Sequence, residues 1–119
     1  MMIYTTYFAN LKNLPNTIVP IAICGKLPDF YTGLRYKELA PKKEFFNIWK
    51  QNNDWNYYIK NYYELVLNKL DADKVVKDLF ELSSNKDVAL VCYEKPTDSC
   101  HRHLVADWLR ENGYECNEL

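Results

Sequence analysis

The stretch VALVCYEKPTDSCHRHLVADWL, residues 88–109, reads as a buried strand, a short turn and a helix, and that order decides the fold class. Val88, Ala89, Leu90, Val91 and Cys92 form an unbroken apolar run. A strand that is apolar at every position has both faces covered, as strands of parallel sheets do. Lys95-Pro96-Thr97-Asp98 is a turn signal, and Thr97, Asp98 or Ser99 can cap the helix that follows. On that reading Cys100, His101 and Arg102 occupy its first turn. Unpaired N–H groups and the positive end of the helix dipole make such a position attractive to anions. A thiol, an imidazole and a guanidinium gathered there form a candidate site.

Working outward, residues 3–8 are β-prone, and residues 17–24 (TIVPIAIC) form a second apolar run in which Pro20 predicts an edge position or an irregular start. Residues 25–41, with two Gly and two Pro and no clean period, read as a long ordered loop holding Phe30, Tyr31 and Tyr36. Helical spacing follows over 42–52 (Phe45, Phe46, Trp49) and 54–70 (Trp55, Tyr58, Ile59, Tyr62, Tyr63, Val66, Leu70). Asp71 or Asp73 can start a third helix through Leu82, and Ser83, Ser84 and Asn85 stop it before residue 88. The last helix ends at Asn112-Gly113, leaving room for a short final strand. Alternating strands and helices predict one α/β domain over 1–119: a single small open sheet, inner strands mostly parallel, helices on both faces, Rossmann-like. Ligands of such sheets sit beyond the carboxyl ends of the strands. Those ends would deliver Phe8 to Asn10, Cys24 to Lys26 and Cys92 to Glu94 to one crevice.

A chain of 119 residues, 48% hydrophobic, is long enough for one core and not two. Fifteen basic against sixteen acidic residues argue against nucleic acid or an anionic membrane as partner. No apolar run approaches the roughly 20 residues of a membrane span, and the start of the chain lacks a secretory pattern, which predicts a cytoplasmic protein. Four cysteines outside a loop-rich secreted scaffold are expected to be free thiols. The abundance of Asn, Lys and Tyr resembles an AT-rich coding bias, pointing to a low-GC bacterium or one of its phages.

Within the last helix, His101 precedes Leu104 and Val105 by three and four residues and so faces inward, whereas His103 shares an outer face with Asp107 and Arg110. Arg102 lies at the margin of the buried face, where its planar fork suits a ligand or a carboxylate. The dipole and its cationic neighbours should lower the Cys100 pKa and favour a thiolate, although cysteine is also a common buried packing residue. Glu94 can accept from Arg102, act as a base or contact a ligand hydroxyl. Cys92, Glu94, Cys100, His101 and His103 are all zinc-capable, but the Cys-x7-Cys-His-x-His spacing lacks paired short knuckles and the two histidines face different ways. Neither metal nor cofactor is expected. The Tyr and Trp of the middle helices are read as core and lid, Cys24 and Cys116 as packing.

Cys92-x-Glu94, a short turn, then Cys100-His101-Arg102 on a helix resembles the hallmark of the domain of unknown function 488 family. IYTTYFAN is similar to that family's first strand, GLRYKELAP to its middle loop and Glu118 to its terminal acidic position. Many members follow the second strand with an Asp-x-Arg-x-x-Pro segment, where this chain has Cys24-Gly25-Lys26-Leu27-Pro28, with Lys26 in place of the arginine. The resemblance implies a small α/β domain with a polar pocket, and it does not separate catalysis from binding.

The residues lead first to a pocket for a small anionic, nucleotide-like ligand, formed by Cys92, Glu94, Cys100, His101 and Arg102 with Phe8, Asn10, Lys26, Arg35 and Tyr36. Arg102 would clamp phosphate and Tyr36 would stack on or cover the ligand. In a phage such a pocket would sequester a signalling nucleotide. The alternative is a hydrolase or transferase for a nucleotide or nucleic-acid-related substrate, in which Cys100 attacks and His101 moves the proton. A third class, a protein-interaction module, would show an exposed aromatic patch in place of a pocket.

Overall fold

Five strands, β1 (Ile3–Tyr7), β2 (Ile18–Ala22), β3 (Leu34–Arg35), β4 (Asp87–Cys92) and β5 (Cys116–Glu118), form one sheet in the order β3-β2-β4-β1-β5. Every pairing is parallel. The computed structural model describes residues 1–95 and 97–119, so Pro96 of the expected turn lies outside the described residues. The continuous apolar run is the middle strand: Val88 pairs with both Ile3 and Val19, and residues 88–92 are buried. The α-helices are α1 (Lys43–Asn52), α2 (Trp55–Leu65), α3 (Ala72–Leu82) and α4 (His101–Glu111).

Handedness distributes the cover of the two faces. The connections β3 to β4 and β4 to β5 both run toward the β5 edge, so right-handed crossovers put them on one face. All four α-helices accordingly share one core with Ile3, Ile21, Val88 and Leu90. The connections β1 to β2 and β2 to β3 run the other way. They cover the opposite face with a 3-10 helix, Phe8–Asn13, and with Leu27 and Tyr31, which pack on Ala22 and Val91. The second layer is therefore a short 3-10 helix and loop where α-helices were expected.

Local signals account for most boundaries. Asn53 adopts φ 54° and ends α1, and the Asp54 carboxylate accepts from the Tyr57 N–H at 3.2 Å to start α2. Asp71 does the same for α3 with Asp73. Gly113, at φ +89°, provides the left-handed residue that stops α4. The second expected helix is shorter than its periodicity: α2 ends at Leu65 and a 3-10 helix, Leu67–Lys69, follows. The loop over 25–41 contains β3 and a 3-10 helix, Lys37–Leu39. Because β3 meets β2 only at Ile21 and Ala22, Pro20 stands beyond that pairing and its missing N–H costs no ladder bond. Among the described residues no helix is long and apolar enough to cross a membrane.

Candidate functional site

β4 ends at Cys92 and α4 begins after Cys100, and the two thiols meet around His101. The His101 side chain is buried, with Nε2 2.7 Å from the Ile23 carbonyl oxygen and Nδ1 3.5 Å from Cys92 Sγ. A carbonyl only accepts, so Nε2 carries a proton and Nδ1 is the atom free to trade a proton with a thiol. Cys92 Sγ, Cys100 Sγ and His101 Nδ1 all lie within 4.8 Å of one another. The edge of the Tyr62 ring fixes the imidazole from the helix side, its hydroxyl donating to the Leu39 carbonyl at 2.6 Å.

Thr97, Asp98 and Ser99 do not cap α4. Cys100 itself is the N-cap, in extended backbone conformation, and no side chain caps the helix by hydrogen bonding. The Cys100 thiol is pulled down to about 3 by its contact with Cys92, then by His101 and the Arg102 backbone N–H, against the opposing effect of burial. The Cys92 thiol moves the other way, well above the ordinary range, through the same Cys100 contact and its burial. The opposite shifts of the pair favour the thiolate at Cys100 and the thiol at Cys92. Glu94, whose Oε2 is 3.7 Å from Cys92 Sγ, is raised by burial and by Cys100, which favours its protonated form.

Arg102 does not join this cluster. Its side chain is fully buried and points to the β5 side, where Nε and Nη2 bind Glu118 at 3.1 and 2.9 Å, and Nη1 donates to the Glu94 carbonyl at 2.6 Å. Glu118 also accepts from the Thr5 hydroxyl at 2.6 Å. The expected phosphate clamp is instead a structural strut: three of the five guanidinium N–H donors are held by protein acceptors, and the fully buried side chain does not line the cleft.

The thiols and imidazole line a cleft of about 1010 Å³, together with Glu94 and Lys26. Lys43 and Lys50 of α1 add two more cations, and Phe46, Trp49, Trp55 and Tyr58 make an aromatic wall. Trp55 stacks on Tyr58 at 4.7 Å, and Lys50 sits over the Phe46 ring at 5.6 Å. The aromatics were expected as core and lid and Lys26 at the pocket, whereas Lys43 and Lys50 were not expected there. Their signal was present, since residues 43, 46, 47 and 50 have the spacing of one helix face. Cys24 also lines the cleft, but burial raises its thiol to about 11 and it donates to the Lys26 carbonyl. All four cysteines are free and buried.

Four other expected ligand contacts lie elsewhere. Phe8 does not line the cleft: it is buried behind it in the cluster that also holds Cys92 and Cys100, edge-on to Tyr31 and Tyr93. Asn10 donates to Thr6 Oγ1 from the same 3-10 helix. Arg35 holds the chain after β2, donating to the Cys24 and Gly25 carbonyls at 3.3 and 2.9 Å. Tyr36 is buried and its hydroxyl donates to Asp78 at 2.7 Å. Two strand ends, β2 and β4, therefore build the crevice, and that of β1 does not, because its chain turns to the other face. His103 is half-buried with its Nε2 unpartnered among the described residues, where a solvated ring was expected.

This architecture, a small parallel sheet with a Cys-x-Glu strand end facing a Cys-His-Arg helix start, agrees with the comparison of sequences. The chain belongs to the DUF488 family: residues 17–113 match the family model described as the active DUF488-N3 subclade. No curated protein and no solved structure matches the chain.

Proposed function

We propose that this protein is a cysteine-dependent hydrolase or transferase for a small anionic, nucleotide-type substrate, with Cys100 as the nucleophile. The observation that carries the reading is the meeting of Cys100 Sγ, Cys92 Sγ and His101 Nδ1 within 4.8 Å at the lining of a cleft of nucleotide size. Three lysines against one carboxyl group on that lining favour an anion, and the aromatic wall favours a flat ring. In the reaction, the Cys100 thiolate forms a bond to the electrophilic atom while the bond to the leaving group breaks. The departing group takes its proton from the Glu94 carboxyl, whose proton affinity is raised, or through His101. Water or an acceptor then cleaves the thio-linked intermediate and returns the thiol.

Glycosyl-type centres suit the site better than phosphoryl ones. With Arg102 committed to Glu118, no guanidinium lines the cleft among the described residues to stabilise a transferring phosphoryl group. The sequence has no Cys-x5-Arg loop either, since residue 98 is Asp98 and residue 106 is Ala106. The test is to incubate wild type and Cys100→Ser with a panel of nucleotides and nucleotide sugars, following products and protein mass. Turnover and a transient adduct at Cys100 are expected only for wild type. Turnover that survives in Cys100→Ser would overturn the assignment.

A further inference from the structure

We infer that Cys92, Cys100 and His101 also form a binding site for one zinc-type divalent cation, which competes with the thiol chemistry proposed above. Two thiols and one imidazole are the donor set that selects zinc and its thiophilic neighbours over magnesium or calcium. The geometry supports the choice. Zinc–sulfur and zinc–nitrogen bonds of about 2.3 and 2.0 Å at a tetrahedral angle put the two donors about 3.5 Å apart. Cys92 Sγ and His101 Nδ1 are 3.5 Å apart. The remaining separations are no more than 4.8 Å, against about 3.8 Å between two sulfurs of a tetrahedral zinc, so the thiols need close by only about 1 Å.

A second observation points the same way. Metal-binding histidines hold their ring by donating the other N–H to a carbonyl or carboxylate, and His101 donates Nε2–H to the Ile23 carbonyl at 2.7 Å, leaving Nδ1 directed at the sulfurs. Three protein donors on the wall of a cleft leave the fourth position of the ion open to it. The linear spacing of Cys92, Cys100, His101 and His103 gave no metal signature, but the fold brings Cys92, Cys100 and His101 together without His103. An ion bound there ties up both thiolates, so occupancy removes the nucleophile.

The test uses metal-free full-length protein titrated with cobalt(II) as a spectroscopic stand-in for zinc, then with zinc itself. One equivalent of cobalt should produce thiolate-to-metal charge-transfer absorption that zinc bleaches and magnesium leaves unchanged. Cys92→Ser and Cys100→Ser should each weaken binding by about ten-fold or more, and Cys24→Ser should not. Should a variant fail to fold, site-resolved alkylation of wild type decides: stoichiometric zinc should protect Cys92 and Cys100 from iodoacetamide. Absence of the charge-transfer band, or a band that persists in the Cys92→Ser/Cys100→Ser pair, would overturn the site. Neither result bears on the nucleophile assignment, which stands or falls on turnover by Cys100→Ser without added metal.

Discussion

Arg102 and Glu118 form a two-point pair, Nε to Oε1 at 3.1 Å and Nη2 to Oε2 at 2.9 Å, that fastens the helix bearing the thiol to β5. Both donors come from a fully buried side chain, while the carboxylate is one-quarter exposed. Removing one partner of such a pair leaves a buried charge uncompensated, at a cost of about 3–5 kcal/mol. Glu118→Gln is therefore expected to lower unfolding stability by about 3 kcal/mol, read from urea denaturation midpoints. An unchanged midpoint would mean that the guanidinium has another acceptor.

The thiols should separate sharply by reactivity. Cys100 is drawn down to about 3, and burial lifts Cys24 and Cys116 to about 11 each. A depressed thiol pKa keeps the thiolate present as pH falls, and only the thiolate attacks. Iodoacetamide at about pH 6, well below the ordinary thiol value of about 8.5, should label Cys100 first. Peptide mapping checks the order, and equal labelling of all four would refute it.

His101 acts on Cys100 through charge and hydrogen bonding. His101→Ala should raise the Cys100 pKa and move the midpoint of its alkylation–pH curve upward. Its second effect is the loss of the bond to the Ile23 carbonyl, a buried acceptor, costing about 1–3 kcal/mol of stability. A shifted stability with an unshifted alkylation midpoint would show the ring to be structural alone.

Glu94 works against the fold at neutral pH. Its carboxyl is raised, burial first and Cys100 second, so the folded state keeps its proton to higher pH than the unfolded chain does. The sign follows: a raised carboxyl contributes stability that is full below the unfolded value of about 4.3 and is lost as pH rises through the folded value. Glu94→Gln removes that loss. It should stabilise the protein at neutral pH with no gain below about pH 4, as thermal melts across pH would record.

The lysines of the cleft should set affinity for anions. Replacing Lys26, Lys43 and Lys50 together by Gln should weaken binding of a nucleotide and flatten its salt dependence, since exposed charges attract through a screened field. Isothermal titration at two ionic strengths measures both. Arg102→Gln, whose side chain lies outside the cleft, should act on stability before affinity.

The parallel sheet was legible because residues 88–92 are apolar without interruption, and the meeting of Cys92 with His101 followed from a strand leading into a helix start. What stayed hidden was non-local. Periodicity put Arg102 at the margin of a buried face, but the acceptor that turns its head inward lies sixteen residues on, in a strand of three residues. Phe8 and Asn10 were expected at the crevice because they follow a strand, whereas the direction of the next connection carries them to the other face. β3, two residues long, is too short for any period to announce. The helix cap failed for a different reason: three good candidates precede Cys100, and the chain uses none of them.

The strut from Arg102 to Glu118 also orders events during synthesis. A ribosome that has delivered residues through Glu111 has already made both thiols, the imidazole and every strand of the crevice. The guanidinium is then still waiting for its carboxylate, so α4 docks through its apolar face before its ion pair can close. Nascent chains halted before residue 118 leave the Arg102 guanidinium without its carboxylate.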